Sequence, residues 1–122
     1  MFNLIKAIIA LSILDFIYLK STGTIFSNLI YKIQKNKLNL RMYSALCVYI
    51  LIFIMWYVFI YKQKDNFTFK ENLLRAFILG FTTYGIYDFT NHAILKDWNM
   101  NIVIMDTLWG GILYTIITLV SI

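Results

Sequence analysis

The chain has 122 residues, of which 61% are hydrophobic and only 14% are charged, and its formal net charge is +5. Soluble domains carry about 25% charged residues, so this composition excludes a soluble globule. The surplus of apolar side chains has to face lipid, and we expect a single membrane domain over residues 1–122.

Four apolar stretches are long enough to cross a bilayer, whose hydrocarbon core requires about 20 apolar residues per helix. They cover residues 2–19, 42–61, 73–95 and 102–122. In lipid the backbone of each stretch has to satisfy its own hydrogen bonds, which predicts helices. We therefore predict an all-α membrane protein, an antiparallel bundle of four transmembrane helices with both termini on one side of the membrane.

The connection between the first two spans has the pattern of a further helix. Its apolar residues recur at helical spacing, at Ile25, Phe26, Leu29, Ile30 and Ile33. Four basic residues lie at and beyond the end of this stripe: Lys32, Lys35, Lys37 and Arg41. Such a segment is typical of an amphipathic helix in the membrane interface, where its cations contact anionic lipid head groups. A helical extension of the first span, packed on the bundle, fits the pattern equally well.

The remaining composition bears on partners and cofactors. The cations flank apolar spans, which indicates the lipid bilayer rather than nucleic acid as the partner. No Gly-rich phosphate loop and no Cys/His zinc spacing occurs in the sequence, so we expect no cofactor. Lysines and arginines divide almost equally between the two sides, and the positive-inside rule then predicts no orientation. A homo-oligomer, and either a cellular or a viral membrane, fit the multi-pass pattern.

Three of the four spans carry an aspartate near the same side of the membrane. Asp15 precedes Lys20 at the end of the first span, while Asp88 precedes and Asp106 follows the turn at residues 96–99. At about 1.5 Å of rise per residue, all three carboxyl groups should lie roughly 8–10 Å below this side. The sequence thus predicts one layer of three acids contributed by three helices.

Helical spacing adds polar neighbours to this layer. Tyr84, Asn91 and His92 lie three or four residues from Asp88 and share its helical face. Trp109 has the same relation to Asp106, and Tyr49 enters the second span from the same side. The cluster expected from this geometry consists of Asp15, Tyr49, Asp88, Asn91 and Asp106.

Three carboxylates in one layer repel each other unless they are protonated, paired or bound to a cation. No lysine or arginine lies at matching depth within the spans. The leading interpretation is a membrane protein whose acids bind protons or a cation, as in a small transporter; a metal, if bound, would be held by Asp15, Asp88 and Asp106. The acids could instead hydrogen-bond the helices together in a structural or interaction component. A third reading is an enzyme acting on a lipid or other membrane substrate, but no catalytic residue is assigned.

Two motifs in the second half of the chain resemble a known family. "TYGIYDFTNHAILKDW" and "VIMDTLWGGILY" are similar to the signature of the uncharacterised small membrane proteins called domain of unknown function 2177. The matching positions are Tyr87, Asp88, Thr90, Asn91, Trp98, Asp106, Trp109 and Gly110. The first span's "LDFIYL" matches at Asp15 and carries Tyr18 where tryptophan is usual. The resemblance implies a four-span membrane protein without an established activity, and it adds Tyr87, Thr90 and Trp109 to the expected cluster.

Overall fold

The computed structural model describes residues 2–122 and folds them into four α-helices. These are α1 (Phe2–Gln34), α2 (Met42–Trp56), α3 (Phe69–Ile94) and α4 (Met100–Ser121). A π-helical turn, Tyr57–Tyr61, prolongs α2, and a short 3-10 turn, Lys64–Asn66, leads towards α3. No strand occurs within residues 2–122. The prediction of an all-α membrane protein is confirmed.

The outward surfaces of the helices are apolar. Ile13, Leu51 and Ile86 are 54%, 63% and 70% exposed, as expected for side chains in contact with lipid. Three helical segments are long and apolar enough to cross a membrane: Phe2–Gln34, Met42–Asn66 and Met100–Ser121. The remaining helix, α3, is long enough to cross a membrane but is more polar than the other three. Its buried positions run from Asn72 to Asp88 against α4, which puts α3 at the same depth as the apolar spans.

The most closely packed helices are α3 and α4. Gly80 and Gly110 lie directly opposite each other, and a Cβ added to Gly80 would overlap the carbonyl oxygen of Gly110. A Cβ on Gly111 would lie 2.6 Å from the ring of Phe77. Small residues let membrane helices approach this closely and gain van der Waals contact. More than half of the apolar part of α4 is buried, so α4 is the central helix of the bundle.

The first connection does not form a separate interfacial helix. Instead α1 continues without a break to Gln34, and at about 1.5 Å per residue its 33 residues measure about 50 Å. The apolar stripe of this extension packs on the start of α4, where Leu29 contacts the buried cluster of Trp98, Ile102 and Val103. Burial of the stripe against protein explains why it does not lie in the interface, and the alternative of a packed extension is the correct one.

The bundle has two distinct ends. We call face B the end that carries residues 35–41 and the α3–α4 turn, residues 95–99, and face A the end that carries residues 62–68. An ion pair between Lys32 Nζ and Asp97 Oδ1, 3.9 Å apart, joins the α1 extension to the α3–α4 turn at face B.

The second helix lies at the edge of the bundle and is held mainly at face A. There the Trp56 indole is buried and donates a 2.9 Å hydrogen bond to Thr118 Oγ1 of α4. Arg75 Nη2 donates at 2.9 Å to the carbonyl oxygen of Phe59 inside the π-helical turn. Towards face B, by contrast, α2 exposes most of its side chains, including Met42 and Leu46. One end of α2 is therefore fixed and the other is loosely packed.

Candidate functional site

The carboxyl group of Asp15 connects three helices. Asp15 is buried on α1, and its Oδ2 accepts a short hydrogen bond from the hydroxyl of Tyr49 on α2. Its Oδ1 accepts a 3.3 Å hydrogen bond from the indole N–H of Trp109 on α4. Both carboxyl oxygens of Asp15 are thus used by aromatic donors from neighbouring helices.

Asp106 on α4 has a corresponding partner on α1. Its Oδ1 accepts a 2.7 Å hydrogen bond from the Tyr18 hydroxyl, while its Oδ2 has no hydrogen bond within residues 2–122. The rings of Tyr18 and Trp109 stack with centroids 4.6 Å apart and planes inclined by 5°. An aromatic residue of each helix therefore donates a hydrogen bond to the aspartate of the other helix. Because α1 and α4 are antiparallel, this exchange sets Asp15 and Asp106 about one helical turn apart in depth.

The third aspartate has the most isolated carboxyl group. Asp88 is fully buried on α3, and neither of its oxygens has a hydrogen-bond partner among the described residues. Its polar neighbours are the carboxyl group of Asp106 and the indole of Trp98. The N–H of Trp98 is also buried without a partner. A buried donor and a buried carboxyl group thus lie side by side without a hydrogen bond of normal geometry between them.

No positive side chain compensates these acids. The ion pair of Lys32 and Asp97 is the only one within residues 2–122, and it lies at face B. The residues of that range also contain no group of three acids, histidines or cysteines that could hold a metal ion. Asp15, Asp88 and Asp106 therefore do not form the three-carboxylate metal site considered above.

A cavity of about 450 Å³ opens beside the two hydrogen-bonded aspartates. Asp15 and Asp106 lie at its inner end, and both are only 6% exposed. Tyrosines from three helices line much of the remainder: Tyr18, Tyr49, Tyr84 and Tyr87. A second cavity of about 340 Å³ adjoins it between α2 and α3 and shares Asp106 in its wall. Empty space next to carboxyl groups allows a ligand or water to reach them.

Other predicted residues lie at the margin of this site or outside it. Tyr87 is 56% exposed at the cavity mouth and meets Trp98 edge to face at 6.0 Å. Asn91 is half-buried, but Thr90 and His92 are exposed. Thr90 does not join the cluster because residues two apart on a helix point in different directions. The basic residues Lys32, Lys35, Lys37 and Arg41 are exposed at face B.

Two residues that complete the site were not included in the expected cluster. Tyr18 binds Asp106, and Trp98 lies beside Asp88. A signal for the first was present, since "DFIY" and "DTLW" share an aspartate followed by an aromatic residue three positions later. Residues at this spacing share a helical face. Trp98 is in the irregular turn before α4, where helical spacing gives no direction.

All residues of this site lie in the part of the chain that one family model matches. The family model described as "Predicted membrane protein (DUF2177)" matches residues 1–122, the full chain. The chain belongs to this family. The recognised motif positions of DUF2177 include the three buried aspartates and Trp109, so the family resemblance and the structure lead to the same residues. No curated protein and no solved structure matches the chain significantly.

Proposed function

We propose that this protein is proton-linked, and that Asp88 and Asp106 take up and release protons inside the membrane. The observation that supports this proposal is the pair itself: two neighbouring buried carboxyl groups with no cationic side chain within 4.0 Å among residues 2–122. One member is entirely enclosed, and the other borders a cavity. A carboxyl group that is both uncompensated and accessible is suited to exchange protons.

The physical argument rests on charge. An ionised carboxylate within the bilayer costs about 2.5–3.5 kcal/mol on insertion scales, and two adjacent ones also repel each other. Binding a proton removes one of these charges without requiring any further ligand. A metal ion would need several oxygen ligands around one point, and no such group exists within residues 2–122. The geometry therefore favours protons over a metal.

The surroundings supply the other parts that proton exchange requires. Asp106 keeps one oxygen fixed by Tyr18 and the other free beside the cavity. The apolar cluster built around Trp56 and Leu113 separates the acids from face A. Protons then reach the site from the cavity and not through the packed half of the bundle. Coupling proton exchange to the movement of a small solute is the simplest use of such a site.

Infrared spectroscopy of the purified protein tests the proposal directly. Protonated carboxyl groups have a C=O stretching band that ionised ones lack. In the wild type this band should grow as the pH is lowered, and Asp106→Asn or Asp88→Asn should each remove the component that the buried pair contributes, while the exposed carboxyl groups continue to titrate. Asp65→Asn provides the matched control, since Asp65 is exposed in the short turn near face A.

The same spectra separate proton exchange from a structural role. If the acids only hold the helices together as neutral groups, their component of the band is present at every pH and does not titrate. A constant component from the buried acids, or a titration identical in wild type, Asp88→Asn and Asp106→Asn, would overturn the proposal. Helix content measured by circular dichroism has to match the wild type, which establishes that each variant is folded.

A further inference from the structure

We propose that the 450 Å³ cavity binds a lipophilic organic cation, with the positive charge against Asp106 and the apolar groups among the tyrosines. This inference rests on the proposed proton site, because the ligand and the proton would compete for the same carboxyl group. It adds to that proposal the chemical class of the solute.

The cavity has the dimensions and chemistry of a small-molecule site. Ligand pockets are typically about 300–1,000 Å³ and mostly apolar, with a few polar groups that orient the ligand. Here the polar groups are carboxyl groups and tyrosine hydroxyls, and aliphatic side chains such as Ile52 and Val48 complete the wall. All four helices and the segment before α2 contribute to the wall of this one cavity, so the space is more than a groove on one helix.

One carboxyl oxygen is free to meet the ligand. Asp106 is more than nine-tenths buried and lines the cavity, yet its Oδ2 has no hydrogen bond within residues 2–122. Both oxygens of Asp15 are already occupied by Tyr49 and Trp109. Of the two aspartates that line the cavity, only Asp106 therefore keeps an unused acceptor, and Asp88 lies behind it.

The aromatic lining selects the kind of cation. Tyrosine rings attract a positive charge through their π faces, and this attraction is strongest where water is excluded. Quaternary ammonium and phosphonium groups use such aromatic surroundings because they cannot donate hydrogen bonds. A small hydrated metal ion would gain less from Tyr18, Tyr49, Tyr84 and Tyr87.

The mouth of the cavity indicates how the ligand enters. Its exposed residues are apolar, with Leu40, Met42 and Val48 between 52% and 72% exposed. On the water side at face B the chain exposes Lys35, Lys37 and Arg41, which repel a dissolved cation. A lipophilic cation already partitioned into the bilayer avoids these charges. Entry through the lipid-facing gap beside α2 follows from this arrangement.

Calorimetric titration of the purified 122-residue chain in detergent with tetraphenylphosphonium tests the inference. The matched control ligand is tetraphenylborate, which has the same shape and the opposite charge. We expect saturable binding of the cation only, weakening as the pH falls and protons occupy the carboxyl group. Asp106→Asn should weaken binding about tenfold or more, because it removes an interaction with a charged group. Asp65→Asn should bind as the wild type does.

A second variant keeps the test valid if Asp106→Asn folds poorly. Val48→Trp adds bulk at the exposed mouth and leaves every carboxyl group in place, so it should weaken tetraphenylphosphonium binding while the infrared titration stays unchanged. Equal binding of the cation and the anion, or full affinity in a folded Asp106→Asn, would overturn the inference. If the infrared band titrates and no cation binds, this inference fails alone; if the band does not titrate, the proton proposal fails.

Discussion

Tyr18 and Trp109 stack face to face, and each donates a hydrogen bond to the aspartate that precedes the other by three residues. Tyr18 binds Asp106 across the α1–α4 interface, and Trp109 binds Asp15 in the opposite direction. On each helix an aspartate is followed three residues later by an aromatic residue. Because the two helices are antiparallel, each aspartate lies level with the aromatic residue of the other helix. This exchange joins the first and last helices of the chain through four side chains.

The exchange predicts a measurable contribution to stability. Tyr18→Phe and Trp109→Phe each keep a ring in place and remove one donor, so each should destabilise the protein by about 0.6 kcal/mol and at most about 1.7 kcal/mol. Because the rings touch, the double variant should deviate from the sum of the single variants. Reversible unfolding in mixed micelles measures these differences. Tyr43→Phe is the control, since Tyr43 is 70% exposed and has no side-chain hydrogen bond within residues 2–122; an equal effect there would contradict the assignment.

Glycine substitutions should separate the tight helix pair from the rest of the bundle. Gly110→Ala places a methyl group 2.5 Å from the Gly80 carbonyl oxygen and against the Tyr84 ring. Overpacking of this kind costs about 1–3 kcal/mol, which unfolding in micelles would record. Gly23→Ala is the matched control, because nothing lies within 4 Å of a Cβ at Gly23 in α1. Equal stabilities of the two variants would show that the α3–α4 contact is looser than described.

The loosely packed end of α2 should move when its hydrogen bond to α1 is removed. Tyr49→Phe deletes the donor to Asp15 and leaves the attachment at Trp56 intact. Cys47 is exposed on the same part of α2, so it can carry a spin label. With a second label at Ile104→Cys on α4, pulsed electron spin resonance should give a broader distance distribution in Tyr49→Phe.

Tyr43→Phe again serves as the control for this measurement, because it changes a tyrosine of α2 without breaking a contact. An unchanged distribution in Tyr49→Phe would mean that packing alone positions the helix. A broader distribution in both variants would point to a general loosening of α2 and would contradict the specific role of Tyr49.

The start of α3 predicts a pH effect outside the membrane. The backbone N–H of Thr68 donates to Glu71 Oε1 at 2.8 Å, and the Thr68 hydroxyl accepts from the Glu71 N–H at 3.2 Å. These contacts hold the pKa of Glu71 below its usual value of 4.5. A lowered pKa means that the carboxylate contributes its stabilisation fully above pH 4.5, and that this stabilisation is lost as the pH falls through the lowered pKa.

Nuclear magnetic resonance titration of the Glu71 carboxyl carbon checks this expectation. Thr68→Ala should raise the pKa of Glu71 towards 4.5, since it removes one half of the reciprocal cap. Thr82→Ala removes a threonine from the same helix far from Glu71 and should leave the titration as it is. An unshifted Glu71 in Thr68→Ala would assign the whole effect to the backbone donor.

Sequence patterns predicted the helices well because apolar length is a local property. They also grouped Asp15, Asp88 and Asp106 in one cluster; Asp15 and Asp106 line one cavity, and Asp88 neighbours Asp106. The depth of Asp15 could not be counted from Lys20, because α1 continues to Gln34. Counting could not give the one-turn offset between Asp15 and Asp106, which depends on how α1 and α4 slide past each other. Nor could it show that α1 continues past Lys20, because the stripe ending at Ile33 fits either a lipid surface or a protein surface.

The position of α2 at the edge of the bundle was equally inaccessible from sequence. All four apolar stretches have enough hydrophobic residues to be central, and composition does not rank them. The central position of α4 depends in part on Gly110 and Gly111, both of which permit close approach to α3. Such steric selection appears only when the backbones are placed against each other.

The depth of the acids has an electrical consequence. A proton that reaches Asp106 from face B travels roughly 10 Å into a hydrocarbon core about 30 Å thick, which is about a third of the way across the membrane potential. Moving one charge through the full potential is worth about 2.3 kcal/mol per 100 mV. The free energy of protonating Asp106 from face B therefore shifts by roughly 0.8 kcal/mol per 100 mV. If Asp106 exchanges protons as proposed, voltage of one sign loads the site and voltage of the other sign empties it, with no change in pH on either side.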